Sequence, residues 1–168
     1  MSLVVRRTAD SYFDDGVARD AVARYCVQCG LEYKFGDRYD PIDMFAYRPT
    51  DGQHIGLELT CNACWTVQSE YPEPYIHIPK RKWDTFYKQV HDVPTANINR
   101  ADIAYLVVLN VPCTRAATLK FSVLLEPIEP FKEEILDING KKDLFVWVPT
   151  SYINRYIVIP PAPKVIKV

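Results

Sequence analysis

The sequence predicts a mixed α/β domain built around one central sheet. Three observations predict it. Apolar residues recur at helical spacing in two places, as Val17, Ala18, Ala21, Val22, Tyr25 and as Trp83, Phe86, Tyr87, Val90. Between them, Asp43–Arg48 and His54–Thr60 read as two arms of a hairpin around the turn cluster Pro49-Thr50-Asp51-Gly52. Beyond the second helix, the apolar run from Ile103 to Val111 reads as a buried strand.

Each element carries its own local signal. Thr8 to Asp10 can cap the first helix, Gly16 is its weak point, and Gly30 lies where a left-handed residue ends it. In the second hairpin arm Leu57 and Leu59 share one face, while Glu58 and Thr60 share the other. A loop rich in Pro and Tyr follows, and Pro79 is suited to the first position of the second helix. Leu119–Leu125 and Asp143–Val148 read as further strands. Residues 1–159 are expected to form a single domain, with 160–168 an extended Pro-rich tail.

Composition excludes several classes. The chain has 168 residues, 48% hydrophobic and 24% charged, which is neither a disordered tail, a collagen nor a coiled coil. Thirteen prolines and eleven tyrosines beside six glycines favour strands and ordered loops over a helix bundle. Twenty basic against twenty-one acidic residues leave a net charge of −1, so any nucleic-acid site must be a local patch. No stretch approaches the ~20 apolar residues of a membrane helix, and the N-terminus has no signal-peptide core. The expectation is a soluble cytoplasmic protein with no membrane partner.

Four cysteines form two knuckles. Cys26-Val27-Gln28-Cys29-Gly30 and Cys61-Asn62-Ala63-Cys64 are both C-x-x-C, with 31 residues between the pairs. Four thiolates at such spacing suit a closed structural Zn²⁺ site, which would tie the end of the first helix to the end of the hairpin. An iron–sulfur cluster, a redox pair and unrelated thiols are the competing readings. Cys113, beyond the apolar strand, reads as a plain thiol. The three histidines are spread out and form no metal pair.

Acidic residues mark the hairpin. Asp40 and Asp43 stand at its entry and Glu58 sits midway along its return. Pairing through the turn would bring Asp43 and Glu58 together, and two close carboxylates make a hard-oxygen site for Mg²⁺. Such an ion can orient water in phosphodiester hydrolysis. The bland reading is an Asp capping a turn beside Pro41 and a Glu exposed on a strand.

The layout resembles the PD-(D/E)xK nuclease superfamily, which includes many restriction enzymes. The resemblance rests on Gly16-Val17-Ala18-Arg19-Asp20 in the first helix, Tyr39-Asp40-Pro41-Ile42-Asp43 at the hairpin entry and Leu57-Glu58-Leu59-Thr60 on its return. The helix around Trp83, the strand Ala104–Leu109 and the segment Phe145–Pro149 continue the order. It covers roughly residues 10 to 150. It implies a restriction-endonuclease-like central mixed sheet flanked by helices, here with an added four-cysteine zinc site. It implies Mg²⁺-dependent cleavage of DNA by Asp43 and Glu58, with Asp20 assisting, and a tendency to dimerise. One departure stands out: Thr60 occupies the family's lysine position, and Lys80 or Lys82 are the candidates to replace it.

Lys80-Arg81-Lys82 and Lys88, set against Asp84, give this helix a local excess of +3. Lys80, Arg81 and Lys82 are therefore candidate phosphate contacts, against the alternative of a solvated helix face. Tyr71 and Tyr75 are candidates to stack on bases. A second class of function stays open: a non-catalytic, zinc-stabilised module that binds a protein partner, favoured by the near-neutral charge and by Thr60.

Overall fold

The strand Gln53–Cys61 is buried without interruption from Ile55 to Thr60. Burial on both faces is the mark of a strand inside a covered sheet. The computed structural model that shows this describes residues 15–36, 42–62, 64–87, 103–124, 127, 129–138 and 140–163. The expected cap at Thr8–Asp10, and Asp40, Lys88, Val90 and His91, lie outside the described residues, as do the side chains of Phe86 and Tyr87.

The elements run α1 (Asp15–Gln28), β1 (Glu32–Phe35), β2 (Met44–Arg48), β3 (Gln53–Cys61), β4 (Tyr75–Pro79), α2 (Lys80–Tyr87), β5 (Ile103–Leu109), β6 (Arg115–Lys120), α3 (Phe121–Leu124), β7 (Lys132–Ile138), β8 (Lys141–Pro149), a 3-10 turn (Thr150–Tyr152) and β9 (Arg155–Val158). Two sheets form, a six-stranded one in the order β1-β2-β3-β5-β6-β9 and a three-stranded one in the order β4-β8-β7. The larger sheet is mixed: β3 and β5 pair in parallel, and its other neighbours are antiparallel. The protein is thus a mixed α/β fold, as expected, but with two sheets instead of one.

Alternation along the strands sends side chains to opposite faces. Ile55, Leu57 and Leu59 of β3 and Val107 of β5 join the core beneath α1, where Ala18, Ala21, Val22 and Cys26 are buried. Leu106 and Val108 point the other way, into a second core with Trp65, Ile76, Ile78, Phe121, Val146 and Val148. The small residues of α1 let it lie close to the sheet. Gly30 ends the helix at φ 72°, and the Leu31 N–H donates to the Cys26 carbonyl at 2.9 Å, closing the last turn.

Several boundaries differ from the sequence reading. Pro79 closes β4 instead of opening α2, because Tyr75–Pro79 pairs with Phe145–Pro149 of β8. The segment read as a strand from Leu119 to Leu125 divides: β6 ends at Lys120 and the short helix α3 buries Phe121 and Leu124. Pro160 to Pro163 carry no regular structure, and the Pro160 carbonyl accepts a bond from Arg24 Nε of α1 at 3.0 Å.

Candidate active site

Hairpin register builds the site. Met44 lies opposite Leu57 in the β2–β3 ladder. Asp43, one residue before that ladder, therefore comes beside Glu58, on whose carboxyl it acts directly. Asp43 is fixed in turn by the backbone, since the Leu59 N–H donates to its Oδ2 at 2.8 Å.

Glu58 is nearly sealed, with its side chain 8% exposed. Burial, then the Asp43 charge, push its carboxyl up to about 8, with Lys82 pulling the other way and a hydrogen bond to Asp43 adding to the rise. Near neutral pH the Glu58 carboxyl therefore keeps its proton. Glu58 Oε2 is buried and has no hydrogen-bond partner. An orphaned carboxylate oxygen beside a second carboxylate is a donor set that fits a divalent cation replacing that proton. Mg²⁺ takes one or two protein carboxylates and fills its shell with water and phosphate.

Lys82 supplies the positive charge. Its Nζ donates to the Leu59 carbonyl at 2.6 Å and stands 3.6 Å from Glu58 Oε1. The rotation of α2 places it there. Trp83 is wedged against Phe121 and Phe131, with ring centroids 6.0 and 5.6 Å apart. That anchor turns Lys82 toward β3 and Lys80 toward the smaller sheet, where Lys80 Nζ meets Glu133 at 2.7 Å and Asp84 at 3.3 Å. Arg81 is largely exposed, 3.8 Å from Asp143. Of the three basic candidates, only Lys82 joins the carboxylates.

The first helix contributes a different residue from the one expected. Asp20 is exposed, whereas Arg19 brings its NH2 within 3.5 Å of Asp43 Oδ1 and lays its guanidinium over Phe35 at 5.9 Å. Successive helical residues are ~100° apart, so Asp20 falls roughly opposite buried Ala18 while Arg19 borders the buried face. That wheel was the available signal for Arg19 in the sequence.

The cysteines do not converge. Among the described residues no three His, Cys, Asp or Glu side chains form a group that could hold a metal. Cys26 is packed beneath α1, while Cys64 packs against the core on the other side of the sheet. Burial pushes the Cys26 thiol up to about 11, and the neighbouring Cys29 adds to it. Burial also pushes the Cys64 thiol up, and its Sγ lies 2.9 Å from Asn62 Oδ1 and 3.2 Å from the Tyr71 hydroxyl. Cys61 Sγ donates to the Asn110 carbonyl at 3.4 Å. Cys26 and Cys64 thus pack against different cores, while Cys29 is exposed and Cys61 half-buried.

Tyr71 is buried and bonded to Asn62, away from any role in stacking, while Tyr75 is exposed on β4. No helix among the described residues is long and apolar enough to cross a membrane. No protein-family model and no curated protein sequence matches the chain.

Proposed function

We propose that this chain is a restriction-endonuclease-like protein that hydrolyses phosphodiester bonds in DNA, with a lysine relocated from the strand to a helix. The observation that carries the reading is the convergence of Asp43, Glu58 and Lys82. Two carboxylates come from a β-hairpin, and an ammonium reaches them from the helix that follows, at 3.6 Å from Glu58. Thr60 then no longer argues against chemistry, because Lys82 brings the missing charge to the same strand.

Asp43 and Glu58 would hold Mg²⁺, which when bound supplies Lewis-acid activation of water and of the phosphoryl oxygens. Asp43 is preorganised for this by the Leu59 N–H. Glu58 must give up its raised proton to the cation, so activity should rise with pH. Lys82 is anchored on the Leu59 carbonyl, and its remaining donors orient the attacking water and offset charge gathering on the phosphate.

The test is cleavage of supercoiled, linear and branched DNA with Mg²⁺ or Mn²⁺, comparing the wild type with Asp43→Asn and Glu58→Gln. Loss of cleavage in both variants, with the fold intact, supports the reading. A folded wild type that cleaves none of them refutes it and turns the weight to a binding module with a protein partner.

A further inference from the structure

Arg19 has two features that a purely structural ion pair does not explain. Its Nε is buried and has no hydrogen-bond partner. Its NH2 meets Asp43 Oδ1 at only 3.5 Å, at the long end for a charged hydrogen bond. The guanidinium is held in place from one side by the Phe35 ring at 5.9 Å. Asp43 also acts on Glu58, whose Oε2 is a second buried polar atom without a partner in this cluster. One orphan is a donor and the other an acceptor, and the same carboxylate, Asp43, adjoins both residues.

A buried orphan is costly, and two of opposite kind around one carboxylate call for a ligand with both signs. A divalent cation satisfies Glu58. A phosphate oxygen brought in with that cation satisfies Arg19. We propose that Arg19 is a substrate-binding residue that grips a phosphate of the nucleic-acid backbone at the Asp43–Glu58 site. This rests on the nuclease reading above and names the residue that seats the phosphate. Arginine suits the task because its planar fork matches phosphate oxygens and its charge is permanent.

The experiment is binding of a fluorescently labelled DNA duplex, followed by anisotropy across a salt series, with Ca²⁺ in place of Mg²⁺ so that the probe survives. Each phosphate contact contributes ~0.9 to the slope of log K against log salt. Arg19→Gln should bind more weakly and with a slope shallower by ~0.9. Arg19→Lys, which keeps a charge at the position, should keep the slope, and it provides the readout if the Gln variant does not fold. An unchanged slope in Arg19→Gln, or a slope in a folded Arg19→Lys as shallow as one lost contact predicts, overturns the proposal, and any loss of activity is then a matter of positioning Asp43. If the wild type itself binds no DNA while folded, the nuclease reading fails, and this inference with it.

Discussion

Replacing Glu58 with glutamine should flatten the pH dependence of stability. The carboxyl is raised from its ordinary 4.5 to about 8 by burial and by Asp43, against the pull of Lys82. A group whose pKa is higher in the folded state binds more protons there. Its contribution is complete below about 4.5 and is lost as pH rises through about 8. One proton is worth ~1.4 kcal/mol per pH unit, so the full window amounts to roughly 5 kcal/mol. The side chain is only 8% exposed, so solvent screening takes little from this. Glutamine keeps the shape and cannot titrate. Urea unfolding followed by tryptophan fluorescence should show the wild type losing roughly 4 kcal/mol more than Glu58→Gln between about pH 5 and pH 8. Adding Mg²⁺ near pH 8 should restore stability to the wild type alone, because only it presents the carboxylate pair. Parallel pH curves for the two proteins would refute the argument that burial and Asp43 hold the proton on Glu58.

The remaining predictions concern other parts of the framework. Lys80→Met should leave cleavage near the wild-type rate, because Glu133 and Asp84 already engage that ammonium; a loss comparable to that of a Lys82 variant would mean α2 is rotated. Trp83→Ala should cost about 2 kcal/mol and lower kcat more than it changes KM, since Lys82 loses its anchor; steady-state kinetics with a urea melt checks this. Asn110→Ala should cost about 3 kcal/mol, because the fully buried amide bonds Thr114 and Arg115 N–H groups, the Val67 carbonyl and the Thr114 hydroxyl. Elemental analysis should find less than one zinc per chain, and one tightly held equivalent would contradict the packing of Cys26 and Cys64 against different cores.

The central hairpin was readable because it is stiff and strongly patterned. Alternation alone put Glu58 and Thr60 on one face, and the turn at Asp51-Gly52 set the register that brings Asp43 across. Gly52 indeed adopts φ 72°. Lys82 was readable only as one of two candidates, since choosing it over Lys80 requires the packing of Trp83. The strands β1, β4, β7 and β9 were not foreseen. β1 is four residues with every side chain exposed. β7 reads Lys-Glu-Glu-Ile-Leu-Asp-Ile, whose charges mask a strand that forms only by pairing with β8. β4 lies among prolines, and β9 is a short edge strand, tolerated where one side needs no partner. Whether the two C-x-x-C pairs meet is decided by how α1 packs against β3, which spacing along the chain does not encode. Arg19 meets Asp43 and Asp20 is exposed, a difference of one residue, which on a helix is ~100°.

The proposed function turns most on Lys82 standing in for the lysine that the resemblance would put at Thr60, and moving the lysine tests it directly. Lys82→Met should lower kcat/KM by about 10²–10³-fold, the usual worth of one donor placed at developing charge, without unfolding the protein. Thr60 faces the same side of β3 as Glu58, so Thr60→Lys added to Lys82→Met should recover a substantial part of the lost cleavage. Full cleavage by Lys82→Met alone would contradict the account. So would a folded double variant as inactive as the single one, since the charge would then be back beside Glu58 with no effect.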